Sequence, residues 1–409
     1  MTYLMTAGDD NPLPQQARPT PPAQPGAPAQ PDTSGCAPLR ADSPAALLAV
    51  IPQLLGFMPE ASLVVIGTEP PDSSVKVTLR YDLPDPAGAG IAADMAAHAA
   101  GVLAAQRLTT MVAVGYGPAA LVDLVAAALR DAARKAGISW HEFLRVENGR
   151  YWSYVCDDEA CCPPEGKPFD PAGLDAAGTS PASGAVGGPA ARAATVLSSR
   201  AAVAARVAPV GGTAAESMRQ ATRRAERHVT QLLAQVRRSA RRGAARHLVA
   251  TEGLAASGDM IATYRAGGRY TTDFQLARMT VALRDLRVRD DAWARMDPAH
   301  TGAHLRLWID VTRRAQPGYV AAPAALLAFV AWQSGDGALA NVALDRALAD
   351  DPRYSMALLL RQVITAGAPP SLARLPMTPE EVAASYDDAE DDAPDSGIGD
   401  SGASDGGEL

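Results

Sequence analysis

The chain has 409 residues, among them 85 Ala, 34 Arg beside only 3 Lys, 35 Gly and 33 Pro. A hydrophobic content of 47% supports a core. No window reaches the ~18 uninterrupted apolar residues of a membrane span, and four cysteines are too few for a disulfide scaffold. The net charge of −8 is unevenly placed: 11 of the 45 acids follow Arg374, where there is no Lys or Arg, so residues 1–375 carry +3.

In chain order, residues 1–38 hold nine prolines and read as a disordered, polyproline-like arm. Lacking a basic start followed by an apolar run, the arm is not a secretory signal, so a soluble, cytoplasmic protein is expected. Ser43-Pro44 is an N-cap with Pro at the first helical position; Ala45 to Leu55 forms the helix and Gly56 stops it. Ser62 to Gly67 is an apolar strand, and Val75 to Asp82 alternates as a half-wet strand, the pair forming a hairpin. Ala89 to Gln106 is helical, Thr110 to Gly115 is an apolar strand, and Pro118 to Ala136 is a helix closed by Gly137. Trp140 to Val146 and Tyr151 to Val155 flank Asn148-Gly149, a type I′ hairpin signal. Residues 39–165 therefore predict an α/β domain with a mixed sheet.

Residues 166–190 are Pro, Gly, Ala and Ser with little else, a loop or linker. The domain after it, residues 191–375, reads as all helical, with helices at Ala191 to Val207, Thr213 to Ala256, Thr272 to Arg287, Ala299 to Ala315, Pro323 to Ser334, Ala338 to Ala349 and Tyr354 to Thr365. Within it Ala328, Ala331, Ala340, Leu344, Ala347 and Pro352 fit the small and large positions of one tetratricopeptide-like hairpin. Residues 376–409 predict a disordered acidic tail.

Five constellations are candidates for function. On the helix beginning near Met218, an apolar stripe through Ala221, Ala225, Val229, Leu232 and Leu233 opposes an arginine face that includes Arg223, Arg227, Arg237, Arg238 and Arg241. Such a face contacts phosphates, but no aromatic interleaves with it, and high Arg usage runs through the whole chain. A solvated packing helix is the better reading, ahead of nucleic-acid binding or docking of the acidic tail. Second, Cys156, Cys161 and Cys162 crowd into seven residues. Soft thiolates suit zinc, with His141 or a carboxylate as a fourth ligand. The C-x4-C-C spacing argues against it, since adjacent cysteines do not easily share one tetrahedral ion; a redox role and an incidental turn are the alternatives. Third, Gly115-Tyr116-Gly117 joins a strand end to a helix start, where backbone N–H groups can meet an anion, although a tight turn requires the same small residues. Fourth, His300 and His304 share a helix face without the glutamate of a zinc-protease motif, and capping at Asp297-Pro298 explains the site better. Fifth, the helical hairpin offers a groove for a protein partner. There is no nucleophile elbow or Walker loop.

Three stretches together, Leu54 to Val65, Val114 to Gly117 and above all Arg150 to Gly166 with its W-S-Y-x-C-D-D-x-x-C-C-P-P-E-G block, resemble the actinobacterial domain-of-unknown-function (DUF) 4192 family, as does Gly335 to Leu360. The resemblance runs from about Leu39 to Pro370. It implies an actinobacterial, cytoplasmic protein and carries over no activity or catalytic residue.

The expected function is accordingly a non-catalytic binding or interaction protein, its surface centred on Gly115, Tyr116, Gly117, Trp152, Tyr154 and the cysteine loop. The alternatives are a zinc-dependent protein or enzyme using Cys156, Cys161 and Cys162, and a nucleic-acid-associated protein acting through the arginine helix. A protein partner through the helical domain is expected, without membrane association.

Overall fold

The first apolar helix, α1 (Pro44–Leu55), starts where the Ser43 hydroxyl accepts the Ala46 N–H and ends where Gly56 turns left-handed at φ 77°. In the computed structural model, which describes residues 43–70, 74–84, 88–169, 196–238, 242–372 and 377–391, it covers one face of a sheet. The strands are β1 (Ser62–Glu69), β2 (Ser74–Asp82), β3 (Thr110–Tyr116), β4 (Ser139–Glu147), β5 (Arg150–Ser153) and β6 (Lys167–Pro168). Their spatial order is β2-β1-β3-β4-β5-β6, with β3 and β4 parallel and every other pair antiparallel. The mixed sheet of the sequence reading is present, and β6, in a stretch read as loop, extends it by one short strand.

Strand faces alternate, so each face has its own cover. Leu63, Val65 and Phe143 pack with α2 (Ala89–Ala105) and α3 (Ala119–Ala136), while Val64, Ile66, Val114 and Leu144 meet α1 on the opposite side. Three layers result, and the β3–α3–β4 crossover brings the ends of β3 and β4 to the start of α3.

The rest of the described chain is helical: α4 (Arg200–Ala205), α5 (Gly212–Arg238), α6 (Arg242–Arg265), α7 (Asp273–Ala282), α8 (Leu286–Ala294), α9 (Thr301–Arg314), α10 (Ala321–Gln333), α11 (Gly337–Asp350), α12 (Ser355–Thr365) and α13 (Pro379–Asp391). Their shared core is large and includes Trp308, Tyr264 and Leu344. Phe57, from the loop after α1, is buried in it beside an isolated bridge between Phe57 and Leu197. His98 of α2 and Gln106, the residue that caps its end, bond the carbonyls of Thr365 and Gly367. Ala328, Ala331, Ala340, Leu344 and Ala347 are all buried where α10 and α11 meet, and α12 packs on both.

Four expectations are corrected. The single helix Thr213 to Ala256 is two helices, α5 and α6. In a continuous helix His228 and Glu252 would stand roughly 36 Å apart at 1.5 Å per residue, yet Nε2 of His228 is 2.7 Å from the Glu252 carboxylate. Folding back gives the apolar stripe of α5 a partner, which one long exposed helix would lack. The helix Thr272 to Arg287 ends at Ala282, because Asp285 accepts the Arg287 N–H and starts α8, an element the sequence reading missed. Of Ala191 to Val207 only Arg200–Ala205 is helical, started by the Ser199 hydroxyl on Ala202 N–H; residues 191–195 lie outside the described part.

The fourth correction concerns part of the acidic tail: Pro379–Asp391 forms α13, while residues 392–409 lie outside the described part. Thr378 and Glu381 cap it reciprocally, the Thr378 N–H bonding the Glu381 carboxylate and the Glu381 N–H bonding the Thr378 hydroxyl. Val382 is buried against the body, Tyr386 donates to Asp290 at 2.7 Å, and the buried Arg287 meets Asp387 at 2.8 Å. Residues 379–391 thus dock on α8. Val382→Asp places a charge in that contact, and we expect faster deuterium uptake across residues 379–391, by at least about tenfold, with the sheet unchanged.

The arginine face is in part paired within itself. Arg219 and Arg223 meet Glu216, Arg224 stacks 4.1 Å from the Phe274 ring centroid, and Arg227 is exposed. The side chains of Arg237 and Arg238, and the whole of Arg241, lie outside the described residues. No described helix is long and apolar enough to cross a membrane.

Candidate metal centre

The site grows out of the β4–β5 hairpin. Asn148 and Gly149 sit at φ 48° and 70°, the left-handed pair that a type I′ turn needs. Past Ser153 the Tyr154 N–H still bonds the Phe143 carbonyl at 2.8 Å, and the Tyr154 hydroxyl donates to Asp123 of α3. The chain then turns on Ser153, whose hydroxyl donates to Glu142 and accepts from the backbone N–H groups of Val155 and Cys156.

Asp158 organises the next turn. Its carboxylate accepts the Ala160 N–H at 2.9 Å, and its carbonyl accepts the N–H groups of both Cys161 and Cys162, at 3.0 and 2.6 Å. With those two amides gathered on one oxygen, the sulfurs of Cys156, Cys161 and Cys162 all lie within 4.8 Å of one another. All three are free thiols. Adjacent cysteines can therefore face one point, contrary to the spacing argument. A tetrahedral ion with zinc–sulfur distances of about 2.3 Å separates its sulfurs by roughly 3.8 Å, a small contraction from this arrangement. His141, in a β-bulge of β4, is exposed and outside the cluster; among the described residues no His, Asp or Glu joins it.

The loop is locked to the sheet through Trp152. Its indole N–H donates to the Pro164 carbonyl at 2.9 Å, and the Arg145 guanidinium lies 3.6 Å over its ring while pairing with Glu147 at 2.5 Å. Gly166, at φ 76°, comes so close that an added Cβ would be 2.5 Å from the indole. Arg150 donates to the Gly166 carbonyl at 2.7 Å, and the following residues pair with β5 as β6.

Cys156 and Cys162 differ in their hold on the proton. The backbone N–H of Asp158 holds the Cys156 thiol below its ordinary range, with the neighbouring thiols adding to this. Burial, and then the adjoining sulfurs, push Cys162 up to about 12. Three sulfur ligands with one hard to ionise form a set that a metal would complete, since binding displaces the thiol proton. Lys167 Nζ, 3.8 Å from the Cys161 sulfur, offsets the negative charge.

Gly115, Tyr116 and Gly117, also expected as ligand residues, each make packing contacts. Gly115, Arg145 and Trp152 are partners in one row across β3, β4 and β5, so Gly115 and Trp152 are two strands, roughly 10 Å, apart. A Cβ on Gly115 would overlap Val122 of α3, and one on Gly117 would meet Leu83 at 2.9 Å. Tyr116 is buried on the α1 side, its pKa raised by that burial. Their small size has a steric reason, and Arg145 stands between them and Trp152. Sequence reasoning missed Arg145, Asp158 and Lys167, whose roles depend on strand pairing and backbone turns. In the helical region His304 is buried, accepting the Asp297 N–H at 3.3 Å, while His300 pairs with Asp297 at 2.8 Å. Asp297 also caps the turn Pro298–His300, as the capping reading expects.

A protein-family model described as Domain of unknown function (DUF4192) matches residues 44–371. The chain belongs to that family. No curated protein and no solved structure matches it.

Proposed function

For this member of the DUF4192 family, we propose a non-catalytic metal-binding role, in which Cys156, Cys161 and Cys162 hold a soft divalent ion, zinc first, beside the sheet edge. The observation that carries it is the mutual approach of three sulfurs to within 4.8 Å on a loop whose backbone is hydrogen-bonded at Ser153, Asp158 and Gly166. Thiolate sulfur selects zinc over magnesium or calcium. With three protein ligands the fourth position falls to solvent or to a partner's side chain, which makes the loop a surface for interaction as well as a clamp.

Protein purified under reducing conditions is expected to carry about one zinc per chain, and Cys161→Ser to lose most of it, with affinity reduced at least about tenfold. Because Cys161 is exposed, the variant keeps its fold and the comparison is direct. Zinc-free wild type that takes up none on titration would overturn the reading.

A further inference from the structure

The cysteine loop holds the geometry for a second chemistry, one that needs no metal. Cys156, Cys161 and Cys162 are free thiols with their sulfurs within 4.8 Å of one another. The backbone gathers them: the Ser153 hydroxyl accepts the Val155 and Cys156 N–H groups, and the Asp158 carbonyl accepts those of Cys161 and Cys162. A disulfide has an S–S bond of about 2.05 Å, so any pair of these sulfurs closes by rotating side chains over a short distance.

Chain geometry selects among the three possible pairs. Cys161 and Cys162 are adjacent, and a trans peptide sets their Cα atoms about 3.8 Å apart, short of the roughly 4.4 to 6.8 Å that a disulfide spans. Cys156 therefore belongs to either feasible bridge. Of its two candidates, Cys161 is exposed and Cys162 is half-buried, so an oxidant arriving from solvent meets Cys161 first.

We infer that the loop is a reversible oxidation site, at which a hydroperoxide joins Cys161 to Cys156. The Cys161 thiolate attacks one peroxide oxygen; the S–O bond forms, the O–O bond breaks, and the other oxygen leaves as hydroxide or alkoxide and takes up a proton. The Cys156 thiolate then attacks the Cys161 sulfur, forming the S–S bond and expelling hydroxide, which is protonated to water. Two electrons pass from the two thiols to the peroxide. Oxidation thereby removes two of the three sulfurs of the proposed metal centre; release of an ion rests on that reading, whereas the disulfide does not.

The full-length protein carrying Cys36→Ser, so that the thiol count reads the loop alone, is freed of metal with a chelator and treated with hydrogen peroxide. Peptide mapping without reduction is expected to find Cys156 linked to Cys161, with about two loop thiols lost per chain and both restored by dithiothreitol. In Cys156→Ser the bridge is expected to vanish and the sulfenic acid at Cys161 to accumulate, its trapping by dimedone rising at least about tenfold. Wild-type loop thiols that resist peroxide, pass straight to sulfinic acid, bridge through Cys162 or link only between chains overturn the inference. So does a Cys156→Ser variant that joins Cys161 to Cys162 as readily as wild type forms its bridge. Metal is absent throughout, so failure here leaves the zinc reading standing, and a disulfide in a protein that never takes up zinc leaves this inference standing alone.

Discussion

Gly166→Val is expected to destabilise the protein by about 3 kcal/mol, with the loss concentrated in residues 150–169. Two separate costs combine. A β-branched residue at φ 76° sits in the left-handed region, which for an L side chain costs roughly 1–2 kcal/mol. The new Cβ also arrives 2.5 Å from Trp152, and forced overpacking costs about 1–3 kcal/mol. The indole has little freedom to yield, pinned by its N–H on Pro164 and by Arg145, itself paired with Glu147. Chemical denaturation followed by tryptophan fluorescence reads the loss. Trp152→Ala in the same chain removes the overlap and leaves the backbone cost, so the double variant should lose less than the sum of the single ones. Strict additivity would show that Gly166 and Trp152 do not touch in solution.

Acidification is expected to weaken the fold through His304. Burial, reinforced by the nearby positive charge of Arg265, lowers its pKa from 6.5 to about 4. A depressed histidine pKa means that the fold holds the neutral ring while the unfolded chain takes up a proton between the two values. The contribution is therefore complete above about pH 6.5 and is lost as pH falls toward 4, on the order of 2 to 3 kcal/mol in all. The imidazole is nearly inaccessible, with Nε2 accepting the Asp297 N–H and Nδ1 unpartnered. His304→Gln keeps an acceptor for Asp297 and does not titrate, so its stability should be flatter than wild type between pH 7 and 4.5. Parallel curves would place the acid sensitivity elsewhere, on the carboxylates.

These two residues show what a sequence can and cannot reveal. The strands around Val64 and Val114, the Ser43 cap, the Asn148-Gly149 turn and the helix closed by Gly137 were legible, since each rests on local patterning, capping or backbone conformation. The fold-back of α5 on α6 was not, because the Met218 stripe continues smoothly into the next segment and only tertiary contacts such as His228 to Glu252 oppose one long helix. The acidic helix α13 was missed for a related reason: charge near Glu380 and Asp387 argues for disorder until Val382 and Arg287 provide a docking site. At the candidate centre, the cysteines and Trp152 stood out as residue types. Their convergence depends on Asp158 gathering two amides on one carbonyl and on Arg145 lying one strand away, information that the C-x4-C-C spacing does not contain.

In the proposed reading, Gly166 and Trp152 matter because they anchor the loop that carries the three sulfurs. X-ray absorption at the zinc edge of the reduced, zinc-loaded protein tests that arrangement directly. Three sulfur scatterers at about 2.3 Å with one lighter ligand is the expected result. A first shell made only of nitrogen and oxygen, or one with a single sulfur, would show that the cysteine loop is not the metal's seat.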